Sequence, residues 1–134
     1  MAFAYDDVRV SHVTISDPTK DNYYPVMKVP NRNTKIEILE AWACSDTGVT
    51  LGNGTGVALT LLDYGTAGTA NIGTVSSVLG GTTVTWTATT PKAFTLSDGT
   101  LGAGKWLYCY YDETGTVAPL NLDIEVHWVV GVGA

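Results

Sequence analysis

From Leu120 to Val130 the chain reads LNLDIEVHWVV, in which Leu120, Leu122, Ile124, Val126, Trp128 and Val130 alternate with Asn121, Asp123, Glu125 and His127. Alternation of this kind gives a β-strand one apolar and one polar face, whereas a period of 3.6 would scatter the six apolar side chains around a helix. At about 3.3 Å per residue the strand spans roughly 36 Å, long enough to need partners on both edges. Similar patterns recur upstream. VRVSHVTI over Val8 to Ile15 predicts a strand whose apolar phase slips near His12, as at a bulge. TKIEILEAWAC, residues 34–44, predicts a second, with Ile36, Ile38 and Trp42 in one phase and Leu39, Ala41 and Ala43 in the other. VALTLLDY (57–64), a weaker stretch through Ile72, Val75 and Val78, TTVTWTAT (82–89), KAFTL (92–96) and KWLYCYYD (105–112) complete the set. In TTVTWTAT, Val84 and Trp86 face inward and Thr83, Thr85 and Thr87 form an uncharged outer ladder. Between these runs lie turn sequences such as SDTGVTLGNGTG (45–56), GTAGT (65–69) and SDGTLGAG (97–104).

About eight short strands separated by turns predict an all-β fold, a single antiparallel β-sandwich built as a jelly roll. No connection holds a helix long enough for a parallel βαβ unit. The 134 residues suit one domain, with 45% apolar residues to fill its core and 15 glycines to turn its strands. The expected core includes Val84, Trp86, Trp106, Leu122, Ile124, Val126 and Trp128. Two stretches stand apart: residues 1–7, which have no periodicity and read as an arm, and residues 16–34, SDPTKDNYYPVMKVPNRNT, where Pro18, Pro25 and Pro30 interrupt any long element. Only YPVMKV has room to form a short edge strand there.

Net charge is −6, which opposes binding to a phosphate backbone, so nucleic acid is not expected as a partner. Residues 1–35 nevertheless balance at +1, against −7 for the remainder. No apolar run approaches a bilayer span and no secretion signal opens the chain, so no membrane association is expected and synthesis belongs to the cytoplasm. Cys44 and Cys109 stand in different strands outside any CxxC or Cys/His cluster, which argues for two buried free thiols and against zinc.

Sequence features that suggest chemistry all fail on context. GTLGAGKW (99–106) departs from a P-loop at one residue, Trp106, where Ser or Thr should hold magnesium; it leads into a strand, not a helix. His12 and His127 lack the HxH pairing of a cupin metal site, and GxSxG is absent. No catalytic residue, metal site or cofactor is implied, and the chain reads as a non-enzyme. With four Trp and seven Tyr a sugar-stacking surface has to be weighed, but Trp86, Trp106 and Trp128 lie in the apolar phases of their strands and are assigned to packing.

The succession TTVTWTAT, then PKAFTLSDGTLGAGKWLYCYYDETGTVAP, then LNLDIEVHWVVG resembles the small jelly-roll cement, or decoration, proteins that tailed bacteriophages add to the outside of their capsids. The resemblance covers roughly residues 34–131. It implies a structural virion protein on the capsid exterior, bound to the major capsid protein, stabilising the shell and often trimeric. The uncharged threonine face and bare strand edges separately argue for self-association, as a homotrimer. The alternative function is a carbohydrate-binding β-sandwich module on a fibre or cell surface. For partner binding the candidate residues are Tyr23, Tyr24, Met27 and Arg32 in segment 16–34, because Tyr, Met and Arg are enriched in interface cores and prolines lower the entropy lost on docking. Against this stands the possibility that the segment only crosses one end of the sandwich and packs Tyr23 or Met27 inward.

Overall fold

The computed structural model describes residues 8–30, 35–48, 55–64, 71–74, 79–81, 86–117 and 119–130. Ten β-segments run through them: β1 (Arg9–Ser16), β2 (Asn22–Lys28), β3 (Ile36–Ser45), β4 (Gly56–Tyr64), β5 (Asn71–Thr74), β6 (Leu79–Gly81), β7 (Lys92–Ala93), β8 (Thr100–Leu101), β9 (Trp106–Thr114) and β10 (Asn121–Val130). They form two antiparallel sheets. One is ordered β1, β10, β3, with β7 and β8 both paired to the far edge of β3; the other is ordered β2, β9, β4, with β5 and β6 both paired to the far edge of β4. Counting each end-to-end pair as one interrupted strand gives the expected eight. The first four strands lie against the last four in reverse order, which is the winding of a jelly roll.

The closing strand organises the first sheet as its alternation predicts. β10 is paired along its length with β1 on one side and β3 on the other, and its inward side chains Leu122, Ile124 and Val126 are completely buried. Facing them from the second sheet are Leu59 and Leu61 of β4, and Leu107, Cys109 and Tyr111 of β9. Burial pushes the Cys109 thiol up to about 12, so it packs as a small apolar group. Trp128 ends the inward row. Its indole Nε1 donates to Ser11 Oγ at 3.0 Å and the Arg9 guanidinium lies 5.4 Å from its ring, which ties the edge strand β1 down.

The bulge falls elsewhere than expected. β1 keeps an unbroken register with β10 from Arg9↔Trp128 to Ser16↔Asn121, with His12 outward and no slip. The irregularity is between β3 and β10: His127 pairs with Glu40 while the next residue, Trp128, pairs with Ile38. Leu39 is the additional residue and stands 40% exposed. Its insertion explains why the apolar phase of TKIEILEAWAC changes midway. Ile36 and Ile38 point inward before it, Ala41, Ala43 and Ser45 after it, and Trp42 is turned to the outer face.

The short edge strand expected over YPVMKV is present as β2, which starts two residues earlier at Asn22; Pro25 lies on the sheet's edge, where its missing N–H costs no ladder bond. Two further expectations are corrected. Trp106 is not core: it is half-buried on the outer face of β9, since Leu107, Cys109 and Tyr111 take the inner positions. Trp86 is buried as expected, but it forms an isolated bridge followed by a turn at 88–89 in which Thr89 has φ 59°, so the strand does not continue past it. Val84, Thr83 and Thr85 of the expected ladder, and the arm at 1–7, lie outside the described residues. Within the glycine-rich GTLGAGKW, β8 is followed by a turn, with Gly104 at φ 73° and its N–H donating to Val29 O, and β9 begins at its last residue, Trp106.

Two substitutions test this packing. Ile124→Ala should cost about 3 kcal/mol by opening a cavity at the centre of the core, measured from the urea midpoint. Gly99→Ala should destabilise by about 1–3 kcal/mol, since a Cβ there would lie 2.6 Å from the backbone oxygen of Ile38, an atom held in the β3 ladder region and unable to yield cheaply. A Gly99→Ala midpoint equal to that of the parent would rule out so close an approach of the 97–100 turn to β3.

Candidate functional site

The two sheets present different outer faces. On the second sheet, alternation along β9 sends Trp106, Tyr108 and Tyr110 outward, and pairing brings Tyr64 of β4 and Tyr23 of β2 beside them. Their rings form one connected belt. Tyr23 lies 4.7 Å from Tyr110 and 5.2 Å from Tyr64, Tyr64 lies 4.6 Å from Tyr108, and Tyr108 meets Trp106 edge-on at 6.2 Å. Tyr23 and Tyr64 belong to strands separated by β9, so their rings meet across the top of it. Beneath the belt Leu62, directly opposite Tyr108, is only 5% exposed although it lies on the outer side of the sheet. Lys28 Nζ sits 5.9 Å from the Trp106 ring at one end. Desolvation, with the neighbouring phenol Tyr23, raises the Tyr64 pKa; desolvation, then Asp21 and Asp112, raises that of Tyr110. The hydroxyls are therefore neutral donors and acceptors throughout the physiological range. An apolar, polar-rimmed surface of stacked tyrosines is suited to contact with another macromolecule.

Of the four partner-binding candidates, Tyr23 belongs to this belt and is 46% exposed. Tyr24 is on the opposite side of β2, half-buried against the core, with its hydroxyl accepting the Thr19 backbone N–H at 2.7 Å. Its role is to fasten the turn before β2. Met27 is a correction: a register shift after Pro25 aims it inward opposite Leu107, and at 9% exposure it is a core residue unable to form a contact surface. Arg32 lies outside the described residues. Tyr64, Trp106, Tyr108 and Tyr110 are belt members that the candidate set does not include. In WLYCYYD one phase holds Trp106, Tyr108 and Tyr110 and the other Leu107, Cys109 and Tyr111, so the sequence places the three together on one face without saying which face is the outer one.

The first sheet's outer face is polar. Its cross-strand rows read Val10–His127–Glu40, His12–Glu125–Trp42–Ala93 and Thr14–Asp123–Cys44. His127 meets Glu40 through Nδ1 at 2.9 Å and Glu125 through Nε2 at 3.0 Å, and it donates to both only when the ring carries both protons. Asp123 accepts from Thr14 Oγ1 at 2.7 Å and lies 3.4 Å from His12 Nε2. Between these rows a groove of about 400 Å³ opens, lined by His12, Trp42, Cys44, Pro91, Asp123 and Glu125. Cys44 is thus half-buried and borders a groove, not a core thiol. Among the described residues no group of three or more His, Cys, Asp or Glu is arranged to hold a metal ion, and no helix is long and apolar enough to cross a membrane.

No protein-family model matches the chain, and no curated protein matches it in sequence. Among solved structures it is similar to a chain in the acidic stable capsid structure of Helicobacter pylori bacteriophage KHP30, with a TM-score of 0.60 and 9% identity, over 92% of this chain and 90% of that one. A chain in the structure of infectious bursal disease virus Gx strain aligns with a TM-score of 0.43 and 12% identity, over 95% of this chain and 34% of that one. At 9% identity the likeness to the phage chain is one of fold, and it is a likeness to the jelly roll described above.

At the rim of the aromatic belt, desolvation and then a hydrogen bond and charge repulsion from Asp21 raise the Asp112 pKa. A carboxyl whose pKa is higher folded than unfolded destabilises the fold while ionised, and the penalty fades as pH falls through the folded value. Asp112→Asn should therefore raise the melting temperature at pH 7 and leave it nearly unchanged at about pH 3, where the carboxyls become protonated. Equal gains at the two pH values would exclude ionisation of Asp112 as the source of the penalty.

Proposed function

We propose that this chain is a structural, non-catalytic virion protein, a cement or decoration protein that docks on the outer surface of a capsid through the aromatic belt of its second sheet and stabilises the shell. The observation that carries the reading is the belt itself. Five aromatic side chains from three strands are packed ring against ring on an outer face, where they add nothing to the interior between the sheets. The jelly-roll likeness to a chain from a phage capsid structure supports a virion setting, and the succession of strands and turns supports the decoration role. The partner in this reading is the major capsid protein. Tyr23 is the member of the belt contributed by the proline-bearing segment, and Pro25 stiffens the edge strand that carries it. Assembly as a homotrimer, seated where capsid subunits meet, belongs to the same proposal: β1 and β2 are outer strands of their sheets, and a symmetric assembly would cover such edges.

The test uses capsids assembled from the major capsid protein of the virus that encodes this chain. A Tyr23→Ser/Tyr108→Ser/Tyr110→Ser variant should keep its far-UV β spectrum and lose at least about tenfold in affinity in a co-sedimentation assay, because stacked aromatics dominate interface energetics. Undiminished binding by the folded variant would refute the belt as the capsid contact. Failure of the parent protein to bind would refute the decoration role.

A further inference from the structure

From the groove on the other sheet we infer a binding site for a neutral hexopyranose unit of a surface polysaccharide, a site independent of the capsid reading. Its floor is Trp42, turned outward by the Leu39 bulge and flanked across the strands by Glu125 on one side and Ala93 on the other. Ala93 is the small neighbour of Trp42 on the side away from β10, and Pro91 also lines the groove. Along β10, Asp123 and Glu125 stand two residues apart on the same face, about 6.6 Å at 3.3 Å per residue, the scale of one sugar ring. Each side chain is about half exposed, at 52% and 47%. With His12 opposite Glu125, the groove joins an aromatic plate to two carboxylates and an imidazole in about 400 Å³, room for one or two sugar rings.

The donor and acceptor balance selects the ligand class. A sugar hydroxyl both donates and accepts, and the groove offers carboxylate acceptors beside donors: the Trp42 indole N–H, which has no hydrogen-bond partner among the described residues, and the His12 ring. A pyranose ring presents a face of C–H groups that packs on the indole while its edge hydroxyls reach Asp123 and Glu125. An acidic sugar would set its own carboxylate against these two. A basic side chain would pair with the carboxylates but leave the Trp42 indole N–H unused; each carboxylate can accept several hydrogen bonds, so Asp123 and Glu125 can take a ligand hydroxyl beside their contacts with Thr14, His12 and His127. Neutral sugar is the ligand that uses the whole set.

The experiment probes the full chain on a microarray of neutral and sialylated oligosaccharides, followed by titration of the retained neutral oligosaccharide against the ¹⁵N-labelled indole signals. Saturable binding to a neutral oligosaccharide is expected, with the Trp42 indole signal moving, at least a tenfold loss in Trp42→Ala and a clear loss in Asp123→Asn. The second substitution keeps the side chain's shape and its bond to Thr14, so it carries the test should Trp42→Ala fail to fold. The proposal is overturned if no neutral oligosaccharide is retained, if binding survives in folded Trp42→Ala, or if arginine amide alone moves the Trp42 signal, which would make the groove a seat for a basic side chain. Capsid co-sedimentation of Asp123→Asn should equal that of the parent, so failure at either face is read separately.

Discussion

The fold depends on one strand being paired along both edges. β10 supplies Leu122, Ile124 and Val126 to the centre of the core and holds β1 on one side and β3 on the other. Because it is the last strand and its partners are the first and third, the chain's ends must meet before the sheet exists, a non-local arrangement of high contact order. The ends of the strand are pinned with polar groups. The Asn121 backbone and side-chain N–H groups donate to Asp46 at 2.8 and 2.9 Å, lowering the Asp46 pKa, while Trp128 reaches across to Ser11. Leu120 and Asn121 also join the adjoining turns, their carbonyls accepting from the N–H groups of Asp17 and Asp46.

A single bulge gives the first sheet its outward character. Without it, strict alternation over residues 36–45 would place Trp42 on the inner face with Ile36 and Ile38. With it, Ala41 and Ala43 go inward, the Ala41 carbonyl accepting from the Phe94 N–H at 2.9 Å, and Trp42 goes outward. The second sheet reaches an aromatic outer face differently, by alternation within β9 and by the proximity of Tyr23 and Tyr64 across it. The two surfaces are thus chemically distinct: one stacked and nearly apolar, the other polar, grooved and rich in carboxylates and imidazoles.

Several features are legible in the sequence alone. LNLDIEVHWVV alternates in the sequence and forms a strand in the fold, and the spacing of its companions implies a sandwich of about eight strands. The glycine turn that leads into β9 is equally plain. The phase of KWLYCYYD is not, because both faces of that run are apolar enough to be core, and Trp106 takes the outer one. The sequence leaves Met27 open between a contact surface and the core, because the prolines on either side obscure the phase of its short strand. The shift after Pro25 that turns it inward depends on pairing with β9.

The sequence by itself determined which segments are strands and where they turn, because alternation and turn residues act over a few neighbouring positions. It also determined the inward face wherever one phase is apolar and the other charged, as in β10. Only the tertiary structure decided the inward face where both phases are apolar, in β3 and β9, since that choice rests on which side chains fit against the opposite sheet. The same holds for the belt and the groove. Tyr23, Tyr64 and Tyr110 are far apart in the chain, as are His12, Trp42 and Asp123, and strand order and register alone bring each set together.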